Sequence, residues 1–335
     1  MAKWPLELFS KVREYINFSR DIQERLKKHP DDWQKYQPEF NAVLDRISLE
    51  IMRFELDNLP DNEAKVYRLK RIFGQRYRKY FLRGDFIRWS FEKPFGYAGD
   101  FKIIDAIYQN QPVTRGFDRL WDSYFQQLDI VQSVRVRKED LKKIIFAFVK
   151  KNQGRELRVM NLGSGPAREI KELLEENPQV FERVIFDCYD FDQNALNYAK
   201  SLLNNPANVN FIQENAVRLA LTKRIKEKIP FQYDLIYSTG LFDYFGERVA
   251  GKLVSNLLNI TKKRGTIVIT NVSDKKYNRS AAWMEWVADW YLVYRTKDEF
   301  KKIFSNTGVL LEYCQIFPQA GKLIWYGILN KVMYN

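Results

Sequence analysis

Apolar residues recur with two different periods along the chain, and the period changes near residue 155. Before that point they follow helical spacing, as in Phe40, Val43, Leu44, Ile47, Ile51 and Phe54. This spacing predicts helices at 4–16, 38–56, 62–82, 101–108, 116–128 and 138–151. Pro38 suits the first position of its helix, where its missing N–H costs nothing. The pattern predicts an all-helical first part of the chain.

From residue 158 onward, short apolar runs alternate with helical segments. The runs predict strands at 158–162, 183–190, 209–212, 233–238 and 265–271, with helices at 167–176, 193–203 and 247–261 between them. After a predicted helix at 296–306 come two further strands, 310–317 and 322–329, whose connection is too short for a parallel crossover. We predict an α/β fold, with a Rossmann-like seven-stranded sheet that ends in an antiparallel hairpin. This arrangement is typical of class I methyltransferases.

The change of pattern predicts two domains. The helical part, 1–134, is predicted to be a domain that caps the substrate, and 135–335 is predicted to be the sheet domain. No run of about 18 apolar residues predicts a membrane span, and the N-terminus lacks the apolar core of a signal peptide. We therefore expect a cytoplasmic protein.

The first strand of the predicted sheet runs into Gly163-Ser164-Gly165, and a helix follows. Glycines let a ligand approach the backbone, and the free N–H groups of a helix start point at it. About 25 residues later Asp190 ends the second strand, where an acid of this fold accepts hydrogen bonds from ribose hydroxyls. Together these features predict a nucleoside-binding site.

Two further loops extend the predicted site. Glu214-Asn215-Ala216 follows the third strand, where an adenine ring binds in such folds, and the segment from Ser238 to Tyr244 follows the fourth. Ligands of open α/β sheets bind at the carboxyl ends of the strands. Four loops in this order therefore indicate one site, with the transferred group near the 238–244 segment.

Arg168 and Asn161 narrow the choice of ligand. A dinucleotide fingerprint has a third small residue where Arg168 stands, so a pyrophosphate is disfavoured and S-adenosylmethionine, which has no phosphate, fits better. Many methyltransferases have an acid where Asn161 stands. Asn161 lacks the charge that would pair with the cofactor's ammonium, so another residue has to supply it.

Composition limits the chemistry that is available. The chain of 335 residues carries 55 Lys and Arg against 42 Asp and Glu, a net charge of +13. This excess of positive charge would attract an anionic partner such as nucleic acid, anionic lipid, an acidic carrier protein or a carboxylate substrate. An equally good interpretation is that the basic surface only keeps the protein soluble. The one histidine, His29, lies in a charged turn, and Cys188 and Cys314 lie inside predicted strands. A histidine base, a metal site and a disulfide are therefore not expected.

Several motifs together resemble a bacterial family of class I methyltransferases identified with the biosynthesis of extracellular factor, the methyl ester of 3-hydroxypalmitic acid. The motifs are Lys93-Pro-Phe-Gly-Tyr-Ala-Gly-Asp100, Asn161-Leu-Gly-Ser-Gly-Pro-Ala-Arg168, Tyr189-Asp-Phe-Asp192, Ser238-Thr-Gly-Leu-Phe-Asp-Tyr244, and Met284-Glu-Trp-Val-Ala-Asp-Trp290 with Tyr294-Arg-Thr296. The resemblance spans about residues 70–330 and implies methyl transfer from S-adenosylmethionine to a carboxylate of a small or acyl acceptor.

We assign candidate site residues from the loops and the resemblance. The cofactor set is Tyr97, Asn161, Gly163, Gly165, Arg168, Asp190, Phe191, Asn215, Ala216, Ser238 and Gly240. The catalytic set is Tyr97, Asp100, Asp243, Tyr244 and Arg295, with Lys93 as a further cation. A carboxylate acceptor is already ionised and needs only a clamp such as Arg295 or Lys93. An amine or hydroxyl acceptor needs a base, for which Asp243 or Asp100 is best placed.

Three segments keep two interpretations each. The helix predicted at 62–82 is rich in basic and aromatic residues. It could bind nucleic acid, or its charged face is in solvent while its aromatic residues pack inward, and the second interpretation is favoured. The loop 91–100 closes over a ligand or only connects helices. The insertion 273–295 roofs an acceptor pocket or packs against the N-terminal helices as extra core. An acidic carrier protein is an expected partner if the acceptor is an acyl chain, and the oligomeric state is not predicted.

Overall fold

The computed structural model describes residues 6–59, 61–305 and 313–331. Contacts divide the chain into two compact units, one formed by Met1–Gln132 with Lys275–Tyr291 and the other by Ser133–Asp274 with Leu292–Asn335. Most of the insertion 273–295 thus belongs to the helical unit. No helix in the described ranges combines the length and the apolar character that crossing a bilayer requires.

The helices are, in chain order, α1 (Leu6–Lys28), α2 (Trp33–Asn58), α3 (Glu63–Phe81), α4 (Asp85–Glu92), α5 (Phe101–Gln109), α6 (Gly116–Gln127), α7 (Asp129–Lys151), α8 (Arg168–Glu176), α9 (Pro178–Phe181), α10 (Gln193–Leu202), α11 (Ala216–Leu221), α12 (Ile225–Lys228), α13 (Glu247–Asn259), α14 (Ala281–Trp286) and α15 (Lys297–Ser305). Three short 3₁₀ turns stand at Pro30–Asp32, Phe242–Tyr244 and Lys275–Tyr277. The predicted starts of α1 at residue 4 and end of α15 at residue 306 lie outside the described residues.

The helical unit is built around a cluster of aromatic rings. Tyr15 of α1 stacks on Phe81 of α3 with ring centroids 4.7 Å apart, and Phe40 of α2 meets Trp121 of α6 edge-on at 5.5 Å. The indole N–H of Trp121 donates to the hydroxyl of Tyr15 at 3.0 Å. Edge and offset arrangements of this kind stabilise aromatic cores beyond the area that they bury. The apolar stripe of α2 faces this core, as its spacing predicts.

The starts of α2 and α7 differ from the prediction, since α7 begins at Asp129 and not at residue 138. We predicted that Pro38 begins its helix, and this is wrong, because α2 begins at Trp33 and Pro38 lies inside it. The 3₁₀ turn Pro30–Asp32 leads directly into α2 and sets its start. Pro38 therefore removes one backbone hydrogen bond from the second turn of the helix.

The insertion contributes large side chains to the helical unit. Trp283 and Trp286 of α14 are buried. Their indole N–H groups donate to the hydroxyl of Tyr124 at 3.0 Å and to the carboxylate of Glu55 at 2.9 Å. The sequence left two interpretations of the insertion, a roof over an acceptor pocket or extra core against the N-terminal helices. In this part of the insertion the structure shows extra core.

The second unit contains a seven-stranded sheet. Its strands are β1 (Leu157–Leu162), β2 (Val184–Asp190), β3 (Val209–Gln213), β4 (Tyr233–Ser238), β5 (Thr261–Val272), β6 (Cys314–Pro318) and β7 (Ile324–Asn330). Their order across the sheet is β3-β2-β1-β4-β5-β7-β6. β1 to β5 pair in parallel, whereas β7 is antiparallel to both β5 and β6. The predicted fold class is confirmed; residues 310–312 of the predicted sixth strand lie outside the described residues.

Both faces of the sheet are covered, which explains the nearly continuous apolar runs of the central strands. On one face Val159, Phe186 and Val268 pack with residues of α7 and α8, such as Ile145 and Ile170. Met160, Ile236 and Ile267 pack on the other face with residues of α13 and α15. The sheet is thereby fixed between two helical layers. The loops that follow β1 to β4 lie at the carboxyl ends of these parallel strands.

Candidate active site

The carboxyl ends of β1 to β4 bring the predicted loops of the second unit to one edge of the sheet. The register pairs Leu162 with Tyr189, Asp190 with Gln213, and Asn161 with Tyr237. Adjacent loops are also joined directly, since the N–H of Glu214 donates to the carbonyl of Asp190 at 2.9 Å. Parallel pairing thus gathers four loops that are distant in sequence.

The loop after β1 depends on its glycines. Gly163 and Gly165 have φ angles of 70° and 51°, in the left-handed region where glycine is unstrained. A Cβ at Gly163 would lie 3.2 Å from the side chain of Leu241, so that position must stay small. A Cβ at Gly165 would meet no heavy atom of the described residues within 4 Å, which leaves open space beside the backbone. Ala167 also has a positive φ, and α8 starts at Arg168, one residue later than predicted.

Asp190 connects the end of β2 to this glycine loop. Its Oδ2 accepts the N–H of Gly165 at 2.9 Å, and its Oδ1 accepts the N–H of Asp192 at 3.0 Å. Burial raises the pKa of the Asp190 carboxyl, and these two N–H groups oppose that shift. The N–H of Phe191 also bonds to this carboxyl. The two carboxylate oxygens together offer about four acceptor positions, so acceptor capacity remains for a ligand hydroxyl.

The two loops after β2 and β3 carry local caps. Asp192 caps α10 by accepting the N–H of Asn194 at 2.8 Å, as predicted. Asn215 caps α11 through the N–H groups of Val217 and Arg218 at 2.8 and 3.2 Å, so its amide N–H₂ is the part left to face a ligand. Phe191 follows Asp190 and leaves 48% of its surface exposed. Because Phe191 directly follows Asp190, its exposed ring offers a face on which an aromatic base could stack.

The loop after β4 holds Ser238, Gly240 and Asp243. The hydroxyl of Ser238 donates to the carbonyl of Leu162 at 2.7 Å, which ties β4 to the glycine loop. Gly240 has a φ of 79°, and a Cβ there would lie 3.3 Å from the guanidinium of Arg137. Ser238 therefore has a structural contact, whereas Gly240 lets a buried cation approach the backbone.

Arg137 of α7 was missed by the sequence reasoning. It is 5% exposed, its nearest carboxylate is that of Asp243 at 3.9 Å, and its Nε has no hydrogen-bond partner among the described residues. A buried guanidinium with an unused donor is costly unless an anion completes its contacts. In the sequence Arg137 is one of several cations on a predicted helix. Gly240 follows about 100 residues later, so no local pattern predicts that the two residues are in contact.

Asp243 and Arg295 are both buried in the second unit. The Oδ1 of Asp243 accepts the N–H of Val272 at 2.7 Å. Arg295 donates to the carbonyl of Phe242 at 3.0 Å and also to the carbonyl of Phe245 and the side-chain oxygen of Asn271. Three N–H groups of Arg295 thus hold the 242–245 turn against β5. Tyr244, in the same turn, leaves 42% of its surface exposed.

Burial raises the pKa of Asp243 to about 6, above its ordinary value of 3.8, although Arg137, the N–H of Val272 and Arg295 oppose the shift. A carboxyl whose pKa is higher in the folded state takes up protons on folding, so stability falls as pH rises from about 4 to about 6. We expect Asp243→Asn to remove this component. Relative to wild type, the variant should gain about 2 kcal/mol in free energy of unfolding between pH 4 and pH 8.

Urea unfolding of both proteins at pH 4 and pH 8 measures this difference. Asp21→Asn, at an exposed ion pair of α1, is the control and should show no such gain. A constant difference between wild type and Asp243→Asn at both pH values would contradict the raised pKa.

The remaining candidates belong to the helical unit. Asp100 is buried and caps α5 by accepting the N–H groups of Lys102 and Ile103, as predicted, and it also accepts the indole N–H of Trp89 at 2.7 Å. Lys93 donates to the carbonyl of Asp289 at 2.9 Å. Tyr97 is half-buried in the loop between α4 and α5. These contacts fix Asp100 and Lys93 in the fold, and their catalytic roles stay predictions.

This edge of the second unit has polar atoms and open space that suit a polar ligand. Asp190 offers acceptors for hydroxyls, and Gly165 leaves its backbone open. Two buried polar atoms on this edge, the Oγ of Ser164 and the Nε of Arg137, have no partner among the described residues. Unpartnered buried donors are rare in native proteins, and a polar ligand commonly completes them.

The sheet order and these loops define a Rossmann-like α/β protein with the topology of class I methyltransferases. No protein-family profile matches the chain, and no curated protein sequence matches it significantly.

Solved structures with a similar fold include a possible exported protein from Bordetella parapertussis, with a TM-score of 0.56, 16% identity, and coverage of 70% of this chain and 80% of that one. The CurJ carbon methyltransferase has a TM-score of 0.47 and 13% identity over 58% of this chain and 54% of its own. The magnesium protoporphyrin IX methyltransferase from Synechocystis PCC 6803, with bound SAH, has a TM-score of 0.45 and 11% identity over 68% of this chain and 92% of its own. At these identities the likeness is one of fold.

Proposed function

We propose that the protein is an S-adenosylmethionine-dependent methyltransferase that forms a methyl ester on a small or lipid-like carboxylate. The observation that carries the proposal is Asp190, which ends β2, accepts the N–H of Gly165 and keeps acceptor capacity for a ligand hydroxyl. An acid in this place and bonded to the glycine loop suits the two hydroxyls of a ribose.

Residues of the second unit would hold the cofactor. Asp190 would accept the ribose hydroxyls, the ring of Phe191 and the Asn215-Ala216 turn would receive the adenine, and Arg137 would pair with the carboxylate of the methionine part. Arg137 supports this role because it is buried beside Gly240 with an unused donor. When bound, the cofactor supplies an electrophilic methyl group on a sulfonium, and the protein contributes binding and orientation.

The carboxylate acceptor is supported by the resemblance to extracellular factor enzymes and by the lack of an imidazole base. The one histidine, His29, lies next to a 3₁₀ turn of the helical unit and is exposed. A carboxylate is ionised at neutral pH, so its methylation requires no proton acceptor. The net charge of +13 also suits an acyl group delivered on an acidic carrier protein.

Asp243 favours a second candidate, methyl transfer to an amine or hydroxyl. Its pKa of about 6 would leave it ionised near neutral pH and matched to the task of a general base. Against this, one of its oxygens already accepts the N–H of Val272 at 2.7 Å.

Two measurements test the proposal. Isothermal titration with S-adenosylhomocysteine should show one site per chain, and absence of binding would refute the methyltransferase assignment. Incubation with methyl-labelled cofactor and 3-hydroxypalmitic acid, or a bacterial small-molecule extract, should give a labelled product that mild alkali hydrolyses to the acid. A label that resists alkali, together with a rate that rises with pH, would instead support the amine or hydroxyl acceptor.

A further inference from the structure

Asn161 lies near the end of β1, just before the glycine loop. Many methyltransferases have an acidic residue at this place, and this chain has a neutral one. Asn161 is 2% exposed, and its side chain lies on the sheet face covered by α7 and α8. Its Nδ2 donates to Oε1 of Glu169 at 2.9 Å. The neutral residue is therefore in direct contact with a carboxylate that comes from the next helix.

Glu169 is the second residue of α8 and is 6% exposed. The hydroxyl of Tyr237, the β4 residue in register with Asn161, donates to the same Oε1 at 2.9 Å. Both side-chain donors are neutral, and among the described residues no lysine or arginine forms an ion pair with Glu169. Burial raises the pKa of the Glu169 carboxyl, which the hydrogen bond from Tyr237 opposes. The charge of Lys138 also lowers this pKa without forming an ion pair with Glu169, so a further cation nearby would stabilise the ionised carboxylate.

The contact also fixes which way the Asn161 amide faces. A carboxylate accepts hydrogen bonds and does not donate them, so the N–H₂ end of the amide must face Glu169. The carbonyl end, Oδ1, is then directed away from the carboxylate and remains an acceptor. Asn161 directly precedes Leu162 and the glycine loop, so this acceptor belongs to the site of the proposed cofactor.

We propose that Glu169 replaces the missing acid of β1: it supplies the negative charge and orients Asn161 so that the amide oxygen receives the ammonium of the cofactor's amino-acid end. Glu169 is thus a positioning residue that acts through Asn161. This inference rests on the proposed function and adds to it the basis on which the amino group is recognised.

Binding of two ligands tests the inference without turnover. One is S-adenosylhomocysteine, and the other is the 3-carboxypropyl thioether of adenosine, which lacks only the amino group. Glu169→Gln keeps the size of the side chain and removes its charge. We expect the variant to bind S-adenosylhomocysteine about tenfold more weakly, because the negative charge that attracts the ammonium and orients Asn161 is lost, and to bind the deamino ligand within twofold of wild type.

Relocating the charge provides the matched control. The double variant Asn161→Asp/Glu169→Gln places the carboxylate on β1 and should recover S-adenosylhomocysteine affinity to within about threefold of wild type. Tyr237→Phe removes a neutral donor from the same oxygen and should weaken binding of the two ligands by similar, smaller factors.

The outcomes separate this inference from the proposed function. Equal losses for both ligands in Glu169→Gln, or no loss for either, would overturn the role of Glu169 while leaving cofactor binding intact. Failure of the double variant to regain affinity, with its thermal unfolding unchanged, would also overturn it. Failure of wild type to bind either ligand would overturn the proposed function itself.

Discussion

Replacing Asp190 with alanine is expected to weaken binding of S-adenosylhomocysteine about 1000-fold, roughly 4 kcal/mol. The substitution removes the acceptors for both ribose hydroxyls. It also removes the partner of the Gly165 N–H at 2.9 Å and of the Asp192 N–H at 3.0 Å. The glycine loop then keeps its links to β2 through the N–H groups of Gly163 and Ser164, which donate to the carbonyl of Tyr189, but loses the one at Gly165. Hydrogen bonds to a charged group contribute more than neutral ones, and here two would be lost together.

Asp192→Ser is the matched control for this experiment, since it removes a carboxylate two residues away in the same loop. Serine is an effective N-cap and can keep the cap on α10 that Asp192 provides through the N–H of Asn194. We expect affinity within about threefold of wild type, because the substitution keeps a cap on α10 and leaves the Asp190 carboxylate in place. Titration calorimetry measures both variants, and Asp190→Ala binding as tightly as Asp192→Ser would show that the ribose site lies elsewhere.

The parts of the fold that the sequence predicts well are those fixed by local pattern. Apolar runs predict strands because a sheet covered on both faces buries successive residues, and the short turn after Pro318 requires an antiparallel pair. Parallel strands must end at a common edge, so Gly165 and Asp190 were expected together, and their hydrogen bond is present. The two-domain boundary at 134 and the acceptor-binding roles of Tyr97 and Tyr244 stay predictions.

Contacts between residues that are distant along the chain were not visible in the sequence. Arg295 was predicted as an acceptor clamp from its charge, and this role stays a prediction; three of its five N–H groups contact Phe242, Phe245 and Asn271. Arg137 shows the opposite case, a cation with an unused donor that no sequence pattern marks. The missing charge at Asn161 was visible in sequence, whereas its neighbour Glu169 became evident only from the packing of α8 on the sheet.

The helical unit contains a buried cluster of four charges that sequence pattern also does not reveal. Lys70 of α3 lies 2.7 Å from a carboxylate oxygen of Glu285 in α14 and 3.3 Å from one of Glu55 in α2. Lys275 lies 2.7 Å from each of the same two glutamates. The side chains of Lys70, Glu55 and Glu285 are each less than a tenth exposed. These ion pairs therefore join the 275–291 segment to two helices that precede it by about 200 residues.

The sign of the pH dependence follows from Glu55. Burial raises the pKa of its carboxyl, but Lys275 and Lys70 more than offset this, so its pKa lies below the ordinary value of 4.5. A lowered pKa in the folded state contributes stability above the unfolded pKa, and this contribution is lost as pH falls through the folded pKa. The cluster is therefore at full strength at pH 7, where its mutations are best compared.

Glu285→Ala is expected to lower the free energy of unfolding at pH 7 by about 3 to 5 kcal/mol, because Lys70 and Lys275 would remain buried with one carboxylate between them. The double variant Lys70→Met/Glu285→Leu removes one charge of each sign and should regain more than half of that loss. Asp21→Ala, which breaks an exposed pair with Arg25, should cost less than about 1 kcal/mol. Urea unfolding followed by tryptophan fluorescence measures all three. If Glu285→Ala destabilised the protein no more than Asp21→Ala, the cluster would be incidental to the stability of the helical unit.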